Sequence, residues 1–328
     1  MTTTGRRRPA PATATAPASS SRAAPLAAPS PGGSRISVAV WVALTVVYLV
    51  WGSTYLAIRV AVETMPPLLS GATRFLLAGA LLLGVLAWRL GPAALRVTRR
   101  QFGGAALVGL LLLLGGNGLV VIAEQRIPSG LTALMIAMVP LWVVLLRLLA
   151  GDRLGGAALA GVLLGLGGLA VLSAPGFSGS VSPGGLLLIT VASISWSLGS
   201  FLSGRLPMPA NPMVASAYEM LVGGLGCLLV ALAHGEANGL HLGAVSTRSW
   251  LALAYLVLVG SLVAFTAYAW LLQSAPLGLV ATYAYVNPVV AVFLGWLLLS
   301  EQLSFSELLG GAIVVLAVGV VVSTERRR

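Results

Sequence analysis

Residues 125–140 read QRIPSGLTALMIAMVP, and residues 273–288 read QSAPLGLVATYAYVNP. Each stretch opens on a glutamine, places a proline three residues later and ends on a second proline: Gln125, Pro128 and Pro140 in one, Gln273, Pro276 and Pro288 in the other. Gly130-Leu131 in the first matches Gly278-Leu279 in the second. The parallel continues downstream. Gly151-Asp152-Arg153-Leu154 matches Ser300-Glu301-Gln302-Leu303, and Gly161 matches Gly310. Far upstream, Trp51 matches Trp196. Glycine, leucine and proline are common in apolar chains, so a single coincidence carries little. The repeated proline spacing, joined to matched loop chemistry, makes an internal duplication the better reading.

The duplicated unit is apolar almost throughout. Of 328 residues, 58% are hydrophobic and 8% charged, with a mean hydropathy of +0.99. A typical soluble protein has about 25% charged residues, so this chain is too poor in charge to solvate a water-borne surface. About 20 apolar residues cross a bilayer as a helix. Ten such runs are present, at roughly 37–58, 67–88, 103–123, 129–149, 155–173, 184–204, 212–233, 249–272, 278–299 and 307–323. They do not alternate as barrel strands would, and in lipid the backbone must satisfy its own hydrogen bonds, so they are expected to be helices. The predicted fold is all-α: a polytopic membrane protein of ten transmembrane helices in two inverted five-helix repeats. The predicted divisions are a disordered cytoplasmic tail over 1–35, repeats over 36–174 and 175–323, and a basic cytoplasmic tail over 324–328. Five spans is an odd number, so the second repeat enters the membrane upside down. Inverted repeats face one another around a site near the midplane, the arrangement of alternating-access transporters.

The net charge of +11 comes from 19 basic residues, all of them arginine. Basic loops stay in the cytoplasm. With a cytoplasmic N-terminus, fifteen arginines fall inside, three (Arg59, Arg126 and Arg248) fall outside, and Arg74 lies within a span. Both termini are therefore expected in the cytoplasm of a multi-pass cell (inner) membrane protein, and the positive charge is read as topology rather than nucleic-acid binding. The Ala/Pro/Ser/Thr-rich residues 1–35 lack the apolar run of a signal peptide or twin-arginine leader. Cys227 is the one cysteine and His234 and His241 share one polar loop, a poor set for a metal. There is no phosphate-cradling glycine loop, no nucleophile–histidine pair within the spans and no sign of a cofactor, so an enzyme is not expected.

At this point a resemblance can be drawn. Trp51-Gly52-Ser53-Thr54-Tyr55-Leu56-Ala57-Ile58-Arg59, then Arg74-Phe75-Leu76-Leu77-Ala78-Gly79, resembles the opening of an EamA-type transporter of the drug/metabolite transporter superfamily. Ala123-Glu124-Gln125-Arg126-Ile127-Pro128-Ser129-Gly130, followed by Pro140 and Gly151-Asp152, strengthens it. The resemblance covers about residues 37–323 and implies ten helices in two inverted repeats that move small metabolites or amino acids, often outward. It fixes no substrate. The chain departs from the family in carrying Gly151-Asp152 where Gly-Glu is usual. Its first span has no glutamate before Glu63, unlike the small four-helix multidrug relatives.

Polar groups within the spans are the candidate machinery. Arg74 lies about seven residues into the second span, roughly 10 Å deep at 1.5 Å per residue. A central arginine costs about 2.5–3.5 kcal/mol on insertion scales, so it should face a cavity or a carboxylate. It can grip a carboxylate-bearing substrate in two places at once, or serve a structural ion pair. Glu219 in the seventh span is the first candidate to carry a proton, and Glu124 at the end of the third span the second. Asn117, within Gly115-Gly116-Asn117-Gly118, and Asn287, before the helix-breaking Pro288, are candidate pocket residues, as tight packing also explains the glycines. The aromatics Trp51, Tyr55, Trp142, Trp196, Tyr218 and Tyr283 complete the substrate-site candidates with Ser53, beside membrane-belt tryptophans and tyrosines as the plainer alternative. The expected function is proton-coupled export of small metabolites or amino acids by a monomer or homodimer in the lipid bilayer. The alternatives are an uncoupled facilitator or channel and, from a different class, a membrane-embedded enzyme or sensor.

Overall fold

The computed structural model describes residues 1–2, 37–151, 156–173, 182–238, 241–280, 282–300 and 305–325. Ser37–Arg328 form one compact unit. Two long helices open it, α1 (Val38–Ala61) and α2 (Pro67–Leu90). The next segment is α3 (Arg99–Gly109), a π-helical stretch Leu110–Gly118 and α4 (Leu119–Ala123), running without interruption. Two shorter helices follow, α5 (Ser129–Ile136) and α6 (Val139–Leu149), then α7 (Gly156–Ser173), α8 (Pro183–Ser203) and α9 (Pro212–Ala233). A second composite segment joins α10 (Thr247–Tyr255), a π-helical stretch Leu256–Val263 and α11 (Ala264–Ser274). The unit ends with α12 (Leu277–Val280), α13 (Tyr283–Leu299) and α14 (Phe305–Glu325). No strand occurs among the described residues.

Local chemistry sets the helix boundaries. Ser37 Oγ accepts from the Val40 amide at the start of α1. Thr98 and Gln101 form a reciprocal capping box at α3, satisfying amide donors that the helix cannot. Pro67, Pro183 and Pro212 begin α2, α8 and α9, where a missing N–H costs nothing. Pro140 begins α6. Lacking an amide hydrogen, it cannot bond the Ile136 carbonyl as a continuous helix would require, and α5 ends at that residue.

Among the described residues, seven segments are long and apolar enough to cross a membrane: Val38–Ala61, Pro67–Leu90, Arg99–Ala123, Ser129–Leu149, Pro183–Ser203, Pro212–Ala233 and Thr247–Ser274. The other three expected runs fall on α7, on α12 with α13, and on α14, the last two with shorter apolar stretches at Val286–Leu299 and Leu308–Ala317. Leu77, Leu81 and Val85 of α2, Leu225, Leu229 and Leu232 of α9, and Val289, Phe293 and Trp296 of α13 are exposed. Apolar outer faces of this extent suit lipid, not water. The chain is an all-helical, multi-pass membrane protein.

The interior is organised by pairs of helices. α2 packs along α9, and α7 along α14. α1 lies against α13 and the α10–α11 segment, while α8 lies against α5, α6 and the α3–α4 segment. Glycine permits a close approach of α3 to α9 as well. A Cβ at Gly109 would stand 2.4 Å from the Glu219 carbonyl oxygen and 2.7 Å from its Cα. Backbone therefore meets backbone where α3 crosses α9.

Candidate functional site

Along α1, Trp51, Thr54, Tyr55 and Ile58 recur at helical spacing and share one face. That face looks into a partly open cavity. α2 contributes Arg74 and Phe75, and the first π-helical stretch Leu113, Gly116 and Asn117. Ile136, at the break before α6, closes one side. Ala192 and Trp196 come from α8, Phe265 from α11 and Tyr283 from α13.

Among the described residues, Arg74 is the one charged side chain on this wall. It is 4% exposed, so its guanidinium must be satisfied by the protein. Its Nε donates to Ser261 Oγ at 2.7 Å and its Nη1 to Asn117 Oδ1 at 3.3 Å. Its guanidinium carbon lies 4.8 Å from the centre of the Phe75 ring, a cation–π distance. Both hydrogen-bond acceptors are neutral. Each comes from one of the two π-helical stretches. Such stretches widen a helix locally and recur at functional sites; here they turn Asn117 and Ser261 toward the same guanidinium.

Aromatic rings form another part of the wall. Trp51 meets Trp196 edge to face at 5.4 Å and Tyr283 edge to face at 5.4 Å. Tyr268 packs behind them, 4.7 Å from Trp51 and 5.7 Å from Trp196. The Tyr268 hydroxyl shares a 2.9 Å hydrogen bond with Ser200 Oγ. Trp51 Nε1 donates to the Gly260 carbonyl at 3.3 Å, so the second π-helical stretch also fixes the central indole. Rings arranged edge to face favour one another beyond simple burial.

Six sequence candidates thus meet in one place: Trp51, Tyr55, Arg74, Asn117, Trp196 and Tyr283. The other four tie helices together away from the wall. Ser53 Oγ shares a 2.6 Å hydrogen bond with the Tyr255 hydroxyl. Trp142 Nε1 donates to Ser193 Oγ at 3.0 Å. The Tyr218 hydroxyl donates to the Leu95 carbonyl at 2.9 Å. Asn287, with its amide nitrogen turned toward carbonyls, donates to Tyr48 O at 3.0 Å and Tyr283 O at 3.2 Å. It anchors the start of α13 to α1.

The two candidate proton carriers are buried but do not line the cavity. Glu219 sits on α9 with its backbone against Gly109, within electrostatic reach of Tyr268. Glu124 caps α4, and its carbonyl accepts from the Arg59 guanidinium. Cys227 is buried, and among the described residues no group of three His, Cys, Asp or Glu could hold a metal. Asp152, Arg153, Glu301 and both predicted tails beyond residues 1–2 and 324–325 lie outside the described residues, as do the side chains of Tyr285 and Glu307.

Sequence reasoning missed Ser261, Thr54, Phe75, Phe265 and Tyr268. Ser261 was within reach: it follows Gly260 in the eighth run as Asn117 follows Gly116 in the third. Comparing the third segment of each half would have flagged it. Tyr268, in Ala264-Phe265-Thr266-Ala267-Tyr268, carries no such mark.

Comparison with known proteins agrees with this architecture. The EamA-like transporter family matches twice, over residues 37–174 and 183–323. The inner membrane transporter YedA of Escherichia coli (strain K12) is 42% identical over 284 residues, covering 85% of this chain and 89% of its own length. A probable amino-acid metabolite efflux pump of the same strain is 27% identical over 288 residues, covering 82% of this chain and 90% of its own. Protein PecM of Dickeya dadantii is 28% identical over 276 residues, covering 83% and 88%. One crystal structure, 24% identical, covers 90% of this chain and 100% of its own with a TM-score of 0.64, a likeness of fold. Two matches of one family unit, on a chain whose helices line a common cavity, place it: this protein is a membrane transporter and not an enzyme, and it belongs to the EamA-like transporter family of the drug/metabolite transporter superfamily.

Proposed function

We propose that the chain is a ten-span secondary transporter of the inner membrane that exports small metabolites or amino acids in exchange for protons. The observation that carries this reading is the placement of Arg74. A buried guanidinium with neutral partners stands in a cavity bounded by helices from both halves of the chain, ready to be neutralised by a carboxylate.

Several features support two inverted repeats. The third segment of each half contains a π-helical stretch, and the fourth is broken into two helices. The packing pairs survive an exchange of the halves: α2 with α9, α7 with α14, and α1 with α13 as α8 with α5 and α6. Trp51 and Trp196, matched in sequence, meet face to edge. In such an arrangement, rocking one bundle against the other exposes the cavity to each side in turn. Export follows the likeness to the 27% identical amino-acid metabolite efflux pump, and an inner-membrane address the likeness to YedA.

Substrate carboxylate binds Arg74, and its body lies against Trp51, Trp196 and Phe265. Glu219 exchanges the proton, acting on the cavity through Tyr268, with Glu124 as a second carrier. Both termini lie in the cytoplasm. The position of both acids behind the wall favours one rival, an uncoupled facilitator. Proteoliposomes under an imposed pH gradient separate the two. Glu219→Gln is expected to abolish gradient-driven accumulation while preserving downhill exchange. Undiminished accumulation by this variant removes Glu219 from coupling, and substrate flux with no proton flux in the wild type establishes the facilitator.

A further inference from the structure

We propose that the connection from α2 to α3, together with the one from α8 to α9, forms a binding surface for anionic phospholipids, on which arginine side chains take the headgroup phosphate and neighbouring apolar side chains meet the acyl chains. The inference does not depend on the substrate, nor on which way the chain crosses the membrane.

The first connection stands at headgroup depth. α2 has 24 residues, a length of about 36 Å at 1.5 Å per residue, against a hydrocarbon core of about 30 Å. Residues 91–98, which join the end of α2 to the start of α3, therefore lie at the membrane surface. The second connection, residues 204–211, lies beside the first. Met208 Sδ stands 3.3 Å from a would-be Cβ at Gly104 of α3. The Tyr218 hydroxyl of α9 donates to the Leu95 carbonyl at 2.9 Å, and the Tyr218 ring meets Phe102 of α3 edge to face at 5.7 Å. The last turns of α2 and α8 and the first turns of α3 and α9 thus share one end of the bundle.

The charge there has one sign. Arg89, Arg96, Arg99 and Arg100 crowd the first connection, Arg205 belongs to the second, and all five are exposed. No acidic residue occurs between Glu63 and Glu124, or between Asp152 and Glu219. Neither connection therefore holds a carboxylate of its own to offset the repulsion among these cations. Arg99 and Arg100 also open α3, the end of a helix at which positive charge is disfavoured. A planar guanidinium offers paired N–H groups to phosphate oxygens, and basic residues beside a membrane are drawn to its anionic lipids.

Apolar surface borders the arginines. Trp88 is 80% exposed, Leu90 53% and Phe102 43%. The Arg89 guanidinium carbon lies 5.7 Å from the centre of the Trp88 ring. Tryptophan favours the headgroup level of a bilayer. Exposed cations beside exposed apolar side chains suit a lipid, which brings phosphate and acyl chains together, better than a soluble phosphate. Retention of basic loops during insertion explains where such arginines stand; binding by the finished protein is a separate property that the purified chain reports.

The test uses purified full-length protein in neutral detergent, titrated with dioleoylphosphatidylglycerol, dioleoylphosphatidylcholine and inorganic phosphate, with bound lipid counted by native mass spectrometry. The wild type is expected to bind the phosphatidylglycerol about tenfold more tightly than the phosphatidylcholine, and the preference is expected to shrink as ammonium acetate is raised. The triple variant Arg96→Gln, Arg99→Gln, Arg100→Gln is expected to lose that preference while its phosphatidylcholine affinity stays within about twofold of the wild type. The variant Arg6→Gln, Arg7→Gln, Arg8→Gln removes the same charge from another part of the chain and is expected to keep the preference. Circular dichroism confirms that each variant is folded, and where the triple variant is not, Arg96→Gln alone decides, with an expected loss of about threefold. Equal affinity for the two lipids in the wild type, a preference indifferent to salt, or an unchanged preference in the loop variants overturns the surface. An equal loss in the Arg6, Arg7 and Arg8 variant overturns its assignment to these connections. Displacement of the phosphatidylglycerol by an equal concentration of inorganic phosphate overturns the lipid as its ligand in favour of a soluble anion.

Discussion

Ser261 shows how much one hydroxyl can decide. Arg74 cannot shed its proton in the membrane, so its geometry depends on what accepts from it. The Nε–Ser261 contact at 2.7 Å is short and buried, and the Asn117 contact at 3.3 Å is weaker. Hydrogen bonds to charged groups contribute about 1.5–3 kcal/mol. Ser261→Ala is therefore expected to raise the KM for a carboxylate substrate about tenfold, because the guanidinium is no longer held toward the cavity. Asn117→Ala is expected to do so by about threefold or less, and Ser261→Thr to restore transport. Equal KM values in Ser261→Ala and the wild type refute this positioning role. Arg74 itself was legible in the sequence, since an ionisable residue deep in an apolar run has few alternatives to a cavity. Its partners were less so, because serine and asparagine in a helix do not announce which neighbouring helix they reach. The four candidates that fell outside the wall, Ser53, Trp142, Tyr218 and Asn287, fail for the same reason. Their polar tips are satisfied by a neighbouring helix or loop, and the sequence does not say on which side of a helix a contact lies.

At the scale of the element, the apolar runs mark helices because length and hydropathy suffice to locate them, and proline spacing marks the break at Pro140. The π-helical stretches are harder. Gly115-Gly116-Asn117-Gly118 signals a weak helix, but nothing in the composition of Leu256–Val263 distinguishes a π-helix from an α-helix. The widening follows from tertiary partners: the Leu111 carbonyl accepts from Ser195 Oγ at 2.8 Å, and the Gly260 carbonyl accepts from Trp51. Glycine pairs on one helix separate packing from propensity. Gly109 lies against the Glu219 backbone, whereas Gly103, exposed on the same helix, has nothing within 4 Å of its would-be Cβ. Gly103→Ala is expected to stabilise by about 0.5–1 kcal/mol, the entropic cost of glycine in a helix. Gly109→Ala is expected to destabilise by about 1–3 kcal/mol, the usual cost of overpacking, because neither backbone can yield without parting α3 from α9. Thermal unfolding in detergent reads both signs. A stabilised Gly109→Ala protein is incompatible with the backbone-to-backbone crossing that positions Glu219.

Across the whole molecule, α2 pairs with α9 and α7 with α14, which fits the proposal that the second half runs opposite to the first. In the proposed ten-span scheme, five spans per half would give that inversion. In the proposed scheme, arginine placement sets which way the assembly sits, because basic loops resist translocation. Ala93, in the connection between α2 and α3, and Ala237, in the connection after α9, are both exposed. They lie an odd number of crossings apart in the ten-span scheme. The native Cys227 is buried and is replaced by serine to give a clean background. A membrane-impermeant maleimide applied to intact cells is expected to label Ala237→Cys, and to label Ala93→Cys only after permeabilisation. Reversal of both results turns the assembly over, placing the termini outside while keeping the inverted repeats. Labelling of both from one side is the result the duplication cannot survive, since it demands an even number of crossings between two loops that the α2–α9 pairing puts at opposite ends of the bundle.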